Sequence, residues 1–297
     1  MSLRVALIGF GEVGQILATD LAAEGVTDIV VHDRLFSDPA SRPAQAAATV
    51  PVRWAETIAA ACADRDLVIS AVTAGQALVV AQAAAPALSA ATFLDLNSVA
   101  PHTRLASEAA INALGARYVE GAIMAPIAPK RLKTPVLLGG PHAAAFAPVA
   151  QGLGFSATVF SDQVGRASAV KLSRSIFVKG LEAIITESLL SARHYGVEAE
   201  VLASLDNTLA HPDWPGLARY LLTRPLTHGQ RRSEEMQEAV DMLTDAGLAS
   251  PMARATVELQ ADQGALGLSV DQQADDLLDL LDEVARRKVA LARRREI

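Results

Sequence analysis

The sequence holds one cysteine, Cys62. A single thiol excludes an intrachain disulfide, and a reducing, cytoplasmic compartment is the expectation. Cys62 lies in the helix-like stretch "ETIAAACADRD", which predicts a small buried apolar residue rather than a nucleophile. Long hydrophobic runs are also missing. No run reaches the ~18 uncharged apolar residues of a transmembrane helix, and the apolar run in "MSLRVALIGFGE" is too short for a signal peptide. A membrane is therefore not an expected partner. Positive charge is in deficit: 26 Lys and Arg against 33 Asp and Glu leave a net charge of −7. Nucleic acid is not an expected partner either, because binding it rests on neutralising phosphates. The basic cluster "ARRKVALARRRE" reads as the solvated end of a helix. The six histidines are scattered without ligand-like spacing, so no metal site is expected; Asp206, His211 and Asp213, around the loop-like "HPDWPG", are not read as ligands.

What is present is apolar and ordered in pattern. Over 297 residues, 51% are hydrophobic, enough for a sizeable core and suited to two domains. The first half alternates strand-like and helix-like segments. "LRVALIG", "DIVVHD", "ADRDLVISAV", "ATFLDLNS", "ARYVEGAIM", "TPVLLGG" and "SATVFS" read as strands apolar on both faces, which predicts a parallel sheet covered by helices on both sides. From Gln163 to Tyr195 there is no proline, and after Gly165 the one glycine is Gly180, so this stretch reads as a single long helix. Beyond it, "VEAEVLASLDNTLA", "SEEMQEAVDMLTDAG", "MARATVELQADQG" and "VDQQADDLLDLLDEVARRKVALARR" all have helical spacing. The expected architecture is α/β: an N-terminal Rossmann-type doubly wound sheet over residues 1–163, then a helical domain over 164–297 that begins with the long connecting helix.

The first turn reads Gly9-Phe10-Gly11-Glu12-Val13-Gly14, after a strand and at the opening of a helix. In that context the first glycine permits the tight turn, the second a close approach of backbone to pyrophosphate, and the third helix–sheet packing. Asp33 ends the second strand, where a carboxylate accepts hydrogen bonds from ribose hydroxyls. It favours NAD, since it would repel the 2′-phosphate of NADP; Arg34 next to it keeps NADP as an alternative. Val72 and Thr73, after "DLVIS", join the cofactor set.

In "GRASAVKLSRS", Ser168, Lys171, Ser175, Lys179 and Glu182 form one polar stripe at 100° per residue, while Val170, Phe177, Leu181 and Ile184 lie on a side suited to core contacts. The plain reading is a solvated face with a Lys179–Glu182 pair. The small neighbours of Lys171, at the expected domain junction, leave room for a ligand instead.

At these segments the chain resembles the β-hydroxyacid dehydrogenases, which include 3-hydroxyisobutyrate and 6-phosphogluconate dehydrogenases. "VALIGFGEVGQILATDL" is similar to their cofactor turn, "DLNSVAPHT" to their loop near the nicotinamide, and "GRASAVKLSRS" to the segment of their catalytic lysine. The resemblance implies Lys171 as general acid/base, and Asn97 and Ser98 beside nicotinamide and substrate. Two departures stand out. "EGAIMAP" puts Met124 where the family has Ser-Gly-Gly, and Ser175, after Arg174, stands where it has Asn. The chain further resembles a subgroup with a "KLSRS"-like pattern, an "HGQRRSEEM"-like segment and a C-terminal domain of unassigned function. The activity implied is interconversion of a small, β-type hydroxy acid and its oxo acid with NAD(P), by a homodimer or larger homo-oligomer. For an anionic substrate, Arg174, Ser175, His228, Arg231 and Arg232 are candidates, with Met124, Asn97 and Ser98 alongside; pairing of Arg231 and Arg232 with Glu234 and Glu235 is the competing reading. An imine-type reductase, or a non-catalytic nucleotide sensor or scaffold, are the other functional readings.

Overall fold

The structure, a computed structural model, describes residues 3–205, 211–268, 270 and 276–295. Asp206, the end of "VEAEVLASLDNTLA", most of the start of "VDQQADDLLDLLDEVARRKVALARR" and the side chains closing the basic cluster lie outside the described residues. The chain divides into two compact units, Met1–Leu172 and Ser173–Ile297.

Among the described residues, the first unit carries eight strands: β1 (Arg4–Ile8), β2 (Asp28–His32), β3 (Arg53–Trp54), β4 (Leu67–Ser70), β5 (Thr92–Asp95), β6 (Arg117–Ile123), β7 (Val136–Gly139) and β8 (Ala157–Ser161). They form one sheet in the order β3-β2-β1-β4-β5-β6-β7-β8. Helices α1 (Glu12–Ala23), α2 (Arg42–Ala47), α3 (Ile58–Cys62), α4 (Ala77–Ala84), α5 (Pro101–Asn112), α6 (Ile127–Lys130) and α7 (Ala143–Gly152) connect them. Side chains alternate along each strand, so β1 feeds two cores. Val5 and Leu7 pack with Leu17, Leu21 and Phe146 on one face. Ala6 and Ile8 pack with Cys62, Val80 and Ile111 on the other. Full burial of each large aliphatic side chain contributes roughly 1.5–3 kcal/mol.

The sheet departs from expectation at two strands. β3 is two exposed residues paired to β2, too short and too polar to leave an apolar pattern. β7 runs antiparallel to β6, whereas the pattern predicts a parallel neighbour. A strand buried on both faces carries no mark of its neighbour's direction. The link does: a parallel return needs a crossover of a dozen or more residues, usually a helix. "MAPIAPKRLKTP", broken by Pro126, Pro129 and Pro135, holds the four-residue α6, too short for such a crossover.

Helix α8 (Arg166–Tyr195) begins in the first unit and passes into the second. It starts three residues later than the pattern suggests, because Gly165 holds φ at +93°. The second unit adds α9 (Glu198–Leu205), α10 (Trp214–Asp245), α11 (Pro251–Gly264) and α12 (Leu277–Arg295). Its core gathers Ile185, Leu189, Trp214, Leu222, Leu281 and Val284. Helices α10 and α11 touch at Gly229 and Gly264, where a Cβ on Gly264 would come within 2.8 Å of the Gln230 amide nitrogen. The expectation that Val170, Phe177, Leu181 and Ile184 form the packed side of α8 fails for three of them: Val170 is 37%, Phe177 73% and Ile184 53% exposed. In the second unit the polar stripe is the inward one. Lys179 and Glu182 are buried, and they pair not with each other but with α10, Lys179 with Glu235 at 2.7 Å and Glu182 with Arg232.

Cys62 is fully buried at the end of α3, and burial pushes its thiol up to about 12. The thiolate is the reactive form. A thiol reagent at pH 8 is therefore expected to label the native chain far more slowly than the urea-unfolded chain; equal rates would contradict this packing.

Candidate functional site

Ile8, His32, Ser70 and Asp95 are register partners across β2, β1, β4 and β5. The residues that follow them therefore leave the sheet abreast, at its carboxyl edge: Gly9 and Phe10, Asp33, Ala71 to Thr73, and Leu96 to Ser98. The strand order reverses between β1 and β4, and in open parallel sheets ligands bind at such a switch point.

The glycine turn has the form its spacing predicts. Gly9 adopts φ +94°, and a Cβ there would overlap the Ala71 carbonyl. A Cβ on Gly14 would overlap the Gly9 carbonyl oxygen. Gly11 is exposed with open space around its Cβ position, and the helix it opens has no side-chain cap. Unsatisfied first-turn amides facing open space suit a phosphate. The Asp33 carboxylate is fixed beside them, accepting hydrogen bonds from the Phe10 amide at 2.8 Å and the Leu35 amide at 2.9 Å. Phe10 itself is buried with its ring near Phe36, Val13 is half-buried, and Glu12 and Arg34 are exposed. Val72 is half-buried and Thr73 exposed. This set fits a dinucleotide with pyrophosphate over Gly11 and ribose toward Asp33.

Asn97 is buried, and its amide is engaged within the protein: Oδ1 accepts from the Val72 amide at 2.6 Å, and Nδ2 donates to Ser70 Oγ at 2.9 Å. It ties the loops after β4 and β5 together. Ser98 next to it has a buried hydroxyl without a hydrogen-bond partner. An orphaned buried hydroxyl at the carboxyl edge is the polar handle a bound group would use.

Behind this loop lies a cluster that the sequence reading missed. Arg104 of α5 is fully buried and donates to the Asp95 carboxylate at 2.8 Å, the Asp95 carbonyl at 2.7 Å, the Asn97 carbonyl and Ser168 Oγ at 2.9 Å. Glu120 of β6 is also fully buried, 3.8 Å from the guanidinium, and accepts from the Gly165 and Ser168 amides at 2.7 Å each. Tyr118 donates to Asp95 at 2.9 Å. Burial opposes the charged guanidinium, but Asp95, Tyr118 and Glu120 outweigh it and hold Arg104 protonated above its ordinary range. Burial, then Asp95, raises the Tyr118 phenol well above its own. The signal was present in α5: Arg104, Ser107 and Ile111 share the face toward the sheet, so the helix period alone buries a cation. Lys171, half-buried, follows Ser168 by three residues on α8.

The other candidates are dispersed. Met124, just after β6, is half-buried; Arg174 is exposed and Ser175 half-buried on α8. His228 sits at a kink in α10, with φ −130° and ψ 16°. Arg231 is exposed, 3.8 Å from Glu235. Arg232 is buried, with its guanidinium on Glu182 and Gln260. Burial lowers the Lys179 ammonium, with Glu235 opposing. Among the described residues, no group of three His, Cys, Asp or Glu is arranged for a metal ion, and no helix is long and apolar enough to cross a membrane.

A conserved hypothetical protein from Sinorhizobium meliloti 1021 is 35% identical to this chain, with 97% of each chain covered and a TM-score of 0.73. A conserved protein of unknown function, described as structurally similar to 3-hydroxyacid dehydrogenases, is 30% identical over 89% of this chain and 97% of its own, at a TM-score of 0.70. This chain belongs to the β-hydroxyacid dehydrogenase superfamily. Residues 192–262 match a domain of unknown function, DUF1932, and residues 1–99 match the shikimate/quinate 5-dehydrogenase model. The 3-hydroxyisobutyrate dehydrogenase of Mycobacterium tuberculosis shares the fold at a TM-score of 0.70, with 15% identity over 95% and 99% of the two chains. An imine reductase from Myxococcus stipitatus, solved with NAD+ and also with NADP+, shares it at 0.56 and 0.57, with 18% identity.

Two expectations follow. Gly14→Ala forces backbone apart at the turn, so fluorescence titration with NADH should give at least a tenfold weaker dissociation constant, about 1.4 kcal/mol. Arg232→Met leaves Glu182 buried without its cation, and urea unfolding should detect a loss of about 3–5 kcal/mol; a stability within error of the parent would return Arg232 to the substrate candidates.

Proposed function

We propose that the chain is a nicotinamide-dependent oxidoreductase that interconverts a small hydroxy acid, of the β type, and its oxo acid, with Lys171 as general acid/base. The observation that carries this reading is local to the first unit: Asn97's loop and the first turn of the helix bearing Lys171 are fastened to the same buried guanidinium. The cofactor would supply hydride exchange. Gly9, Gly11 and Gly14 with the first turn of α1 would hold its phosphates, and Asp33 its adenosine ribose, with NAD preferred because the carboxylate disfavours a 2′-phosphate. Ser98 would offer its hydroxyl to the reacting end.

Lys171 would hold and release the proton of the substrate oxygen. A free lysine titrates near 10.4, so a base working at neutral pH needs its pKa lowered by about 3, roughly 4 kcal/mol. The sign differs with direction of reaction: oxidation needs the neutral amine and rises with pH, whereas reduction needs the ammonium and falls as pH passes its pKa. Arg174, exposed and one turn further on α8, is the cation we assign to the substrate anion. The alternative of C=N reduction uses the same cofactor; the likeness to imine reductases is weaker, at 0.56–0.57, than that to 3-hydroxyisobutyrate dehydrogenase, at 0.70.

The test is turnover of β- and α-hydroxy acids and of cyclic imines with NAD+, NADP+ and their reduced forms, by absorbance of the reduced cofactor. Lys171→Met should lose on the order of 10²–10⁴ in kcat on a hydroxy acid while its cofactor dissociation constant stays within about twofold. Near-normal turnover in that variant removes Lys171 from the chemistry.

A further inference from the structure

We propose that Arg104 is a positioning residue for proton transfer, a part played through Lys171 rather than by touching substrate or cofactor. This inference rests on the reading of Lys171 as acid/base.

The geometry is that of a single fork holding two segments. Nη1 is taken by Asp95, through both its carboxylate and its carbonyl, at the end of β5. Nη2 is taken by the Asn97 carbonyl two residues on. Nε points the other way, to Ser168 Oγ in the first turn of α8. Glu120 completes the link at that same edge, bound to the Gly165 and Ser168 amides with its carboxylate 3.8 Å from Nε. The loop that Asn97 pins to Val72 and the turn that leads to Lys171 are thus registered against one rigid plane. Three residues of helix separate Ser168 from Lys171, a rise of about 4.5 Å, so a small tilt of this turn carries directly to the amine.

Stability alone is a weak reason for such a cluster. Three fully buried ionic side chains carry a large desolvation penalty, and apolar residues of like volume often serve as well or better. What apolar residues cannot supply is direction. A planar guanidinium satisfies its partners in one orientation, which fixes both segments at once; a lysine ammonium, compact and tetrahedral, cannot span them. Two carboxylates against one guanidinium leave an excess of acceptors, and the amides of the α8 start are the donors that answer it.

The test compares Arg104→Lys and Ser168→Ala with the parent chain, and each with Lys171→Met. If Arg104→Lys fails to show a cooperative unfolding transition, Ser168→Ala decides. Expected are a cofactor dissociation constant within about twofold and a kcat lower by on the order of tenfold to a hundredfold. A displaced pH–rate limb, the one that Lys171→Met abolishes, should accompany them. No further loss is expected when either change is added to Lys171→Met. Amide exchange gives a readout free of turnover: the Val72 and Ser168 amides should lose protection together in Arg104→Lys. A folded variant with parental kcat, losses that multiply with Lys171→Met, or Val72 protection unchanged while Ser168 exchanges faster would each overturn the proposal. Absence of turnover on every substrate tested counts against the proposed function, and the exchange result then decides the coupling by Arg104 on its own.

Discussion

Gly139 has no side chain, and the Glu120 carboxylate fills that space; a Cβ on Gly139 would come within 2.5 Å of Glu120 Oε2. From there Glu120 takes two amide hydrogens at the start of α8 and faces Arg104. The rest of the carboxyl edge follows from this contact. It fixes where the long helix leaves the sheet, and through Arg104 it fixes the backbone at Asp95 and Asn97. Asn97 in turn fixes Val72. Three strand ends and one helix start therefore share one electrostatic origin, although β7, β6, β5 and β4 contribute to it separately. A helix N-terminus attracts negative charge, and a carboxylate accepting two amides there is among the stronger polar contacts a fold can make.

The second unit solves a similar problem differently. Its ions form two pairs, buried Lys179 with half-buried Glu235 and buried Arg232 with buried Glu182, each joining α8 to α10, with Gln260 of α11 bound to both members of the second. These contacts run from side chain to side chain. They specify which faces of three helices meet, in the way buried polar pairs fix register elsewhere. The first cluster sets the course of the main chain; the second sets the rotation of helices about their axes. It also accounts for Lys179 and Glu182 lying inward on α8, along with Ile185 and Leu189, while Phe177 and Ile184 face outward.

The legible part of the fold was the part written in local rules. The glycine turn, the acid closing β2 and the alternation of apolar strands with helices each depend on a few neighbouring residues, and β1, α1 and β2 lie where those rules put them. The polarity of β7 was less legible, since burial on both faces erases direction and the proline-broken link alone carried it. Arg104 was illegible as a site residue because its partners are spread over 73 positions, from Asp95 to Ser168. The period of α5 puts Arg104 on the inward face with Ser107 and Ile111, but no spacing rule reaches the partners that make its burial tolerable. The α8 stripe misled for a related reason: charged residues at helical spacing are usually exposed, and only opposite charges on α10 make their burial tolerable.

These distinctions bear on how the substrate end differs from the cofactor end. The edge that would hold the cofactor is made of backbone at Gly9, Gly11 and Gly14 and of the Asp33 and Asn97 side chains, each fixed by hydrogen bonds within the protein. Met124, Ala125 and Pro126 stand where the superfamily resemblance leads one to expect Ser-Gly-Gly, and they remove a hydroxyl while Pro126 removes an amide hydrogen. A carboxylate recognised there would lose donors that a thioether cannot replace. Under the proposed function, selection of an anion would then rest on cations, and Arg232 is already neutralised by Glu182. The proposed function gives that part to Arg174, exposed on α8.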